Sequence, residues 1–129
     1  MKVKVRINEV IRESPKNFVI FSTEYGNAKA FWNGDMPEVD KEYFVELEIE
    51  STLKWGDNIR IVEDDKYVIG VEGNACYMVG YLESIEDDGY TVIRLGENII
   101  SLEVDGNPFP IGVFVKVEAD KVILFNINY

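Results

Sequence analysis

The chain contains no histidine and a single cysteine. These two shortages exclude most familiar routes to catalysis. Without histidine there is no ordinary base to activate Cys76 or any serine or threonine. One cysteine and no histidine cannot complete a closed tetrahedral zinc site. Cys76 also has no partner for an internal disulfide, which fits a reducing compartment. Set between Ala75 and Tyr77-Met78-Val79, it reads as a strand residue and a small inert hydrophobe. Long apolar runs are missing too, and nothing approaches the roughly 20 residues that span a bilayer. Lys2, Lys4 and Arg6 have no continuous apolar run behind them, so no secretory signal is expected. No glycine-rich turn leads from a strand into a helix, which leaves nucleotide phosphates no cradle. The expectation is a cytoplasmic protein that is not an enzyme, with no cofactor and no metal.

Positive charge is the next scarcity. The 129 residues include 13 basic and 24 acidic side chains, a net charge of −11. Residues 1–65 carry −5 of this and residues 66–129 carry −6, so the acidity is spread along the chain. A field of that sign repels phosphate backbones and anionic headgroups and steers cationic partners inward. Acidity alone also keeps a protein soluble. Apolar residues make up 47% and aromatics 12%, ordinary globular composition that can build a core without disulfides.

What the sequence has in abundance is alternation with period two, the mark of half-buried strands. Val3, Val5 and Ile7 share one face of Lys2–Ile7, with Lys2, Lys4 and Arg6 opposite. Tyr43, Val45, Leu47 and Ile49 share one face of Tyr43–Glu50, with Phe44, Glu46, Glu48 and Glu50 opposite. Similar strands are predicted at 17–22, 28–32, 58–63, 76–84, 90–95, 98–104, 112–118 and 121–126. Asn33-Gly34, Asp88-Gly89 and Asp105-Gly106 supply the positive φ angles of tight hairpin turns. Pro15, Pro37, Pro108 and Pro110 fall between strands, where a missing N–H does no harm. One short helical stretch is expected, capped by Ser51 or Thr52 and running through Leu53 and Trp55 to Gly56. The predicted fold is all-β: a small barrel or sandwich, or two tandem barrels of oligonucleotide-binding or SH3 type, with at most one short helix.

A single compact unit over 1–129 is expected, and a faint repeat runs through it. Phe18-Val19-Ile20, Asn33-Gly34, Pro37 and Phe44-Val45-Glu46 are echoed by Tyr90-Thr91-Val92, Asp105-Gly106, Pro108 and Phe114-Val115-Lys116. The repeat suggests a duplication into 1–65 and 66–129, with a junction at Glu63-Asp64-Asp65-Lys66. Chance is the competing explanation, because any two series of hairpins look alike at this level.

The candidate chemistry is carried by carboxylates. Glu46, Glu48 and Glu50 lie on one strand face with neighbours roughly 6.5–7 Å apart. That spacing could serve a paired-acid hydrolase or a hard cation. A solvated outer face is the better explanation against catalysis, and a patch of a protein-binding surface is the functional alternative. Glu83, Glu86, Asp87 and Asp88 cluster at a predicted hairpin and could extend the patch. Of Phe31, Trp32, Phe44 and Trp55, which lie near turns or on mixed strand faces, most are expected in the core, with Trp32 or Trp55 as an interface anchor. Base stacking would need a basic groove, and only Lys2, Lys4 and Arg6 offer a basic stripe.

Two stretches carry a family resemblance. Tyr43-Phe44-Val45-Glu46-Leu47-Glu48-Ile49 with Trp55-Gly56-Asp57-Asn58-Ile59, and Gly80-Tyr81-Leu82-Glu83-Ser84-Ile85 continuing through Arg94-Leu95 to Glu103, resemble small acidic immunity proteins encoded beside bacterial polymorphic toxins. The resemblance implies that the chain binds and blocks a toxin domain, often a nuclease. It agrees with the absence of catalytic groups and with charge complementarity, which speeds encounter with a basic protein. The expected function is an acidic binding protein that neutralises such a partner through Glu46, Glu48, Glu50, Trp32, Trp55, Glu83, Glu86, Asp87 and Asp88. The alternative is a barrel of oligonucleotide-binding type that takes a small molecule or nucleic acid.

Overall fold

The computed structural model describes residues 1–13 and 16–127, so Pro15 lies outside the described residues. Among the described residues twelve strands form and there is no helix, and so none long and apolar enough to cross a membrane. Five strands close a barrel: β1 (Lys2–Arg12), β2 (Asn17–Thr23), β3 (Gly26–Asn33), β12 (Val122–Asn126) and β4 (Glu42–Ile49), in that spatial order. The remaining strands build a second, nearly closed sheet: β5 (Leu53–Lys54), β10 (Asn98–Asp105), β9 (Tyr90–Leu95), β8 (Ala75–Ile85), β11 (Phe114–Ala119) and β6 (Ile59–Val62). Strand β7 (Val68–Glu72) adds to the side of β8.

The alternation that predicted strands also sorts their faces. In β1 the order exposed, buried, exposed persists from Lys2 to Ile7, and Val5 and Ile7 are sealed in the core. β4 buries Val45 and Leu47, β3 buries Ala28, Ala30 and Trp32, and β12 closes the ring with Leu124. The second sheet does the same with Leu82, Ile93, Leu95, Ile100 and Val115, and the two interiors join in one apolar cluster.

The two sheets repeat one wiring scheme. Arg6 pairs with both Glu42 and Ser22, so β1 bends from one neighbour to the other. Tyr81 pairs with both Phe114 and Arg94, so β8 does likewise. Each of these strands carries a register shift just past the bend, between Ile7 and Glu9 and between Leu82 and Ser84, as expected of a bulge that turns a barrel corner. Ser22 and Arg94 stand 72 residues apart, as do Glu42 and Phe114. The cross-strand pairs Phe21↔Ala28 and Ile93↔Ile100 keep that spacing.

The fifth strand of each unit is exchanged. β12 runs parallel to β3 and antiparallel to β4, although it follows β11 in the chain. Its place in the second sheet is taken by β5, parallel to β10, and β6, antiparallel to β11, which follow β4 in the chain. The sheets therefore change over at residues 50–52 and 120–121, and the charged segment Glu63–Lys66 simply links β6 to β7.

Three local expectations are corrected. The helical stretch at Ser51–Gly56 is instead a two-residue strand, because Leu53 is buried by pairing with Val104, and the Trp55 N–H donates to Asp105 O at 3.0 Å. Gly34 (φ +117°) and Gly106 (φ +102°) do have positive φ, but they end β3 and β10 at crossing connections and not at hairpins. Only Asp88-Gly89 of the three pairs sits in a hairpin, between β8 and β9. The units dock through the tip of the β2–β3 hairpin. Ile69 N–H donates to Tyr25 O at 3.0 Å, and a side chain on Gly26 (φ +138°) would strike Ile69 O at 2.1 Å.

Candidate functional site

The outer face of β4 and the outer face of β10 meet in a cleft of about 470 Å³ between the two units. One wall carries Glu46, Glu48 and Glu50, and the other carries Ser101 and Glu103, with Tyr90 reaching across from β9. The pleat explains the row: Tyr43, Val45, Leu47 and Ile49 turn toward the core side, and the glutamates turn out. Glu46 is the most enclosed of them. Its Oε1 accepts a hydrogen bond of 2.6 Å from the Met1 ammonium, which also donates to Leu47 O at 2.8 Å. Glu48, Glu50 and Glu103 are exposed. At the floor, the Ser51 hydroxyl oxygen is shielded from solvent and finds no protein partner.

Tyr90 joins this cleft to the acidic hairpin. It lies opposite Glu103 in the β9–β10 register, and its hydroxyl shares a hydrogen bond of 2.7 Å with Ser101 Oγ. Its N–H donates to Asp88 Oδ1 at 3.1 Å, and Glu86 N–H donates to Tyr90 O at 2.8 Å. These bonds shape the hairpin and leave Glu86, Asp87 and Asp88 exposed around the 45%-exposed ring. Tyr90 thus lines both the cleft with the strand row and the surface of the hairpin cluster.

The remaining expected site residues fall elsewhere. Glu83 is half-buried and ion-paired with Arg94, whose Nη2 and Nε approach its Oε1 at 2.7 and 2.8 Å, so its charge is locally balanced. Trp32 and Trp55 are 5% and 7% exposed. Trp32 Nε1–H donates to Asp35 O at 2.7 Å, and Trp55 packs edge-on against Phe109. Both indoles pack in the core. The basic stripe is partly neutralised as well, since Lys4 pairs with Glu42 at 2.7 Å and Arg6 lies 3.9 Å from Asp40. The Lys4 ammonium holds the Glu42 carboxyl below its ordinary value. No cluster of three or more metal-ligating side chains forms among the described residues.

Sequence reasoning missed Tyr90 and Glu103, because nothing in the chain order announces that β10 faces β4. It weighed Phe31 but missed its partnership with Phe18. The two are direct cross-strand partners on the outer face of the first barrel, with ring centroids 4.2 Å apart. Lys16 Nζ lies 4.9 Å from the Phe31 ring and Lys29 Nζ 4.4 Å from the Phe18 ring. The signal was available: if Ala28, Ala30 and Trp32 point inward, Lys29 and Phe31 must point out.

Comparison with protein-family models, with curated proteins and with solved structures found no match. Function is therefore argued from the site itself.

Proposed function

We propose that this chain is a cytoplasmic, non-catalytic binding protein that seats a basic protein on the acidic cleft and neutralises it, as an immunity protein blocks a toxin domain. The observation that carries this reading is the convergence of Glu46, Glu48, Glu50 and Glu103 with Glu86, Asp87 and Asp88 around Tyr90. An exposed aromatic between two groups of carboxylates suits an arginine- or lysine-rich surface. The ring supplies contact area at low entropic cost, and the carboxylates speed and orient encounter. A nuclease domain is a natural partner in this reading, because its substrate-binding surface is basic and a rigid acidic face competes for it.

The test is capture of partners by the tagged protein from its host at low and high salt, followed by association kinetics with whatever is retained. A single stoichiometric basic protein, released by salt, is expected. Charge reversal at Glu48, Glu50 and Glu103 should slow association about tenfold or more, since steering acts mainly on the on-rate. A tight partner indifferent both to salt and to those reversals would sink the proposal.

A further inference from the structure

The two units present the same face with opposite chemistry. At a constant spacing of 72 residues, Lys16, Phe18, Lys29 and Phe31 in the first barrel correspond to Asp88, Tyr90, Ser101 and Glu103 in the second sheet. The cross-strand pairs Phe18↔Phe31 and Tyr90↔Glu103 fix that correspondence. One face is the acidic surface already described. The other keeps an aromatic ring where Tyr90 stands and carries Lys16, Lys29 and Phe31 in place of Asp88, Ser101 and Glu103.

We propose that this outer face of β2 and β3 binds an unstacked nucleobase together with its phosphate, taken from a free nucleotide or from a single strand. The half-buried Phe18–Phe31 pair is the stacking surface, and the Lys29 and Lys16 ammonium groups that lie over its rings must swing off them, toward the phosphate, when a base stacks. Base–aromatic stacking combined with lysines that track phosphate is the general mode of sequence-tolerant recognition of single strands. Next to Phe31 lies a cavity of about 400 Å³, within the size range of small-ligand sites. It is lined by Lys16, Asn17, Phe31, Asn33, Glu50 and Ile123 among others. Asn17 and Asn33 bring amide donors and acceptors suited to a base edge. Glu50 opposes a phosphate there.

The net charge of −11 does not decide the matter at physiological salt. Fields from exposed charges decay over about 8 Å there, so a phosphate on this face responds to Lys16, Lys29 and Glu50 and little to the distant hairpin.

The experiment is a titration of the full chain at about 150 mM salt with adenosine monophosphate, uridine monophosphate and a single-stranded oligothymidylate. Trp32 fluorescence is a built-in reporter, because Trp32 is among the residues that line the same cavity. Saturable binding is expected, and Phe31→Ala, Lys16→Glu and Lys29→Glu should each weaken it roughly tenfold. Glu50→Gln should tighten it. Phe31→Tyr, which keeps the ring, should retain it and guards against a folding artefact. Binding of the mononucleotides alone assigns a free nucleotide, and tighter binding of the oligonucleotide assigns a strand. Silence with all three probes up to millimolar concentration overturns the proposal. So does binding that Phe31→Ala and the lysine reversals leave unchanged.

Discussion

Cys76 lies on β8 with its side chain packed in the core, 4% exposed. Burial disfavours the thiolate and pushes the thiol pKa up to about 12. An unfolded cysteine ionises near pH 8.5. Between those values the unfolded chain has lost a proton that the folded chain keeps. Unfolding then releases protons, and stability must fall as pH rises. Two outcomes follow from the same burial. A disulfide exchange reagent at pH 8 should label the folded protein only as fast as it opens, and immediately in denaturant. Denaturant stability should decline more steeply from pH 9 to pH 12 in the natural chain than in Cys76→Ala, whatever constant loss the smaller side chain imposes. Fast stoichiometric labelling of the folded protein would show that the residue is reachable.

At the scale of elements, the exchanged fifth strands govern cooperativity. β12 seals the first barrel with Leu124, and β6 enters the second sheet with Ile59. Both side chains are fully buried. Neither unit is completed by a contiguous piece of chain, so losing one closing strand loosens both ends of the other unit. Leu124→Ala and Ile59→Ala should each cost about 2–5 kcal/mol and lower a single calorimetric transition, with calorimetric and van't Hoff enthalpies equal. Two resolved transitions, each shifted by only one of the substitutions, would mean that the units unfold separately.

The same exchange explains which elements could be read from the sequence. Ten of the strands follow from alternation, because the pleat forces every second residue of Val3–Ile7 or Val45–Ile49 toward the core. Leu53–Lys54 is too short to show a period, and Ser51-Thr52 ahead of it imitates a helix cap. Only the pairing with Val104, far along the chain, makes it a strand. Val68–Glu72 is broken by Gly70, which looks like a turn signal. Its lack of a side chain instead makes room for the Tyr77 ring, 2.6 Å from where a Cβ would stand. The candidate site divides in the same way. The Glu46–Glu48–Glu50 row is local geometry and was legible. Its meeting with Glu103 and Tyr90 depends on how β4 and β10 pack, and Trp32 and Trp55 were drawn inward by the core.

For the whole molecule, an excess of 11 negative charges works against compactness while it favours capture of a cation. Glu48, Glu50, Glu86, Asp87 and Asp88 are exposed and crowd one side, where they repel each other. Salt should therefore stabilise the protein. Raising sodium chloride from about 20 mM to about 300 mM shortens the screening length severalfold and should raise Tm by a few degrees, with ion-specific effects still small. Reversing Glu48 and Glu50 to lysine removes repulsion directly, so that variant should melt higher at low salt and gain less from added salt. Acidification should cost stability once it reaches the range in which Glu42 takes up a proton. Its folded pKa lies below the ordinary value because of Lys4, so its contribution is present above the unfolded pKa and is lost as pH falls through the folded one. If Tm instead stays flat or falls with salt, the carboxylates are too well compensated to form a strong field, and steering of a basic partner loses its physical basis. If Tm rises as expected, a basic partner seated on the cleft should raise it further at low salt, because it removes the repulsion that the free protein carries.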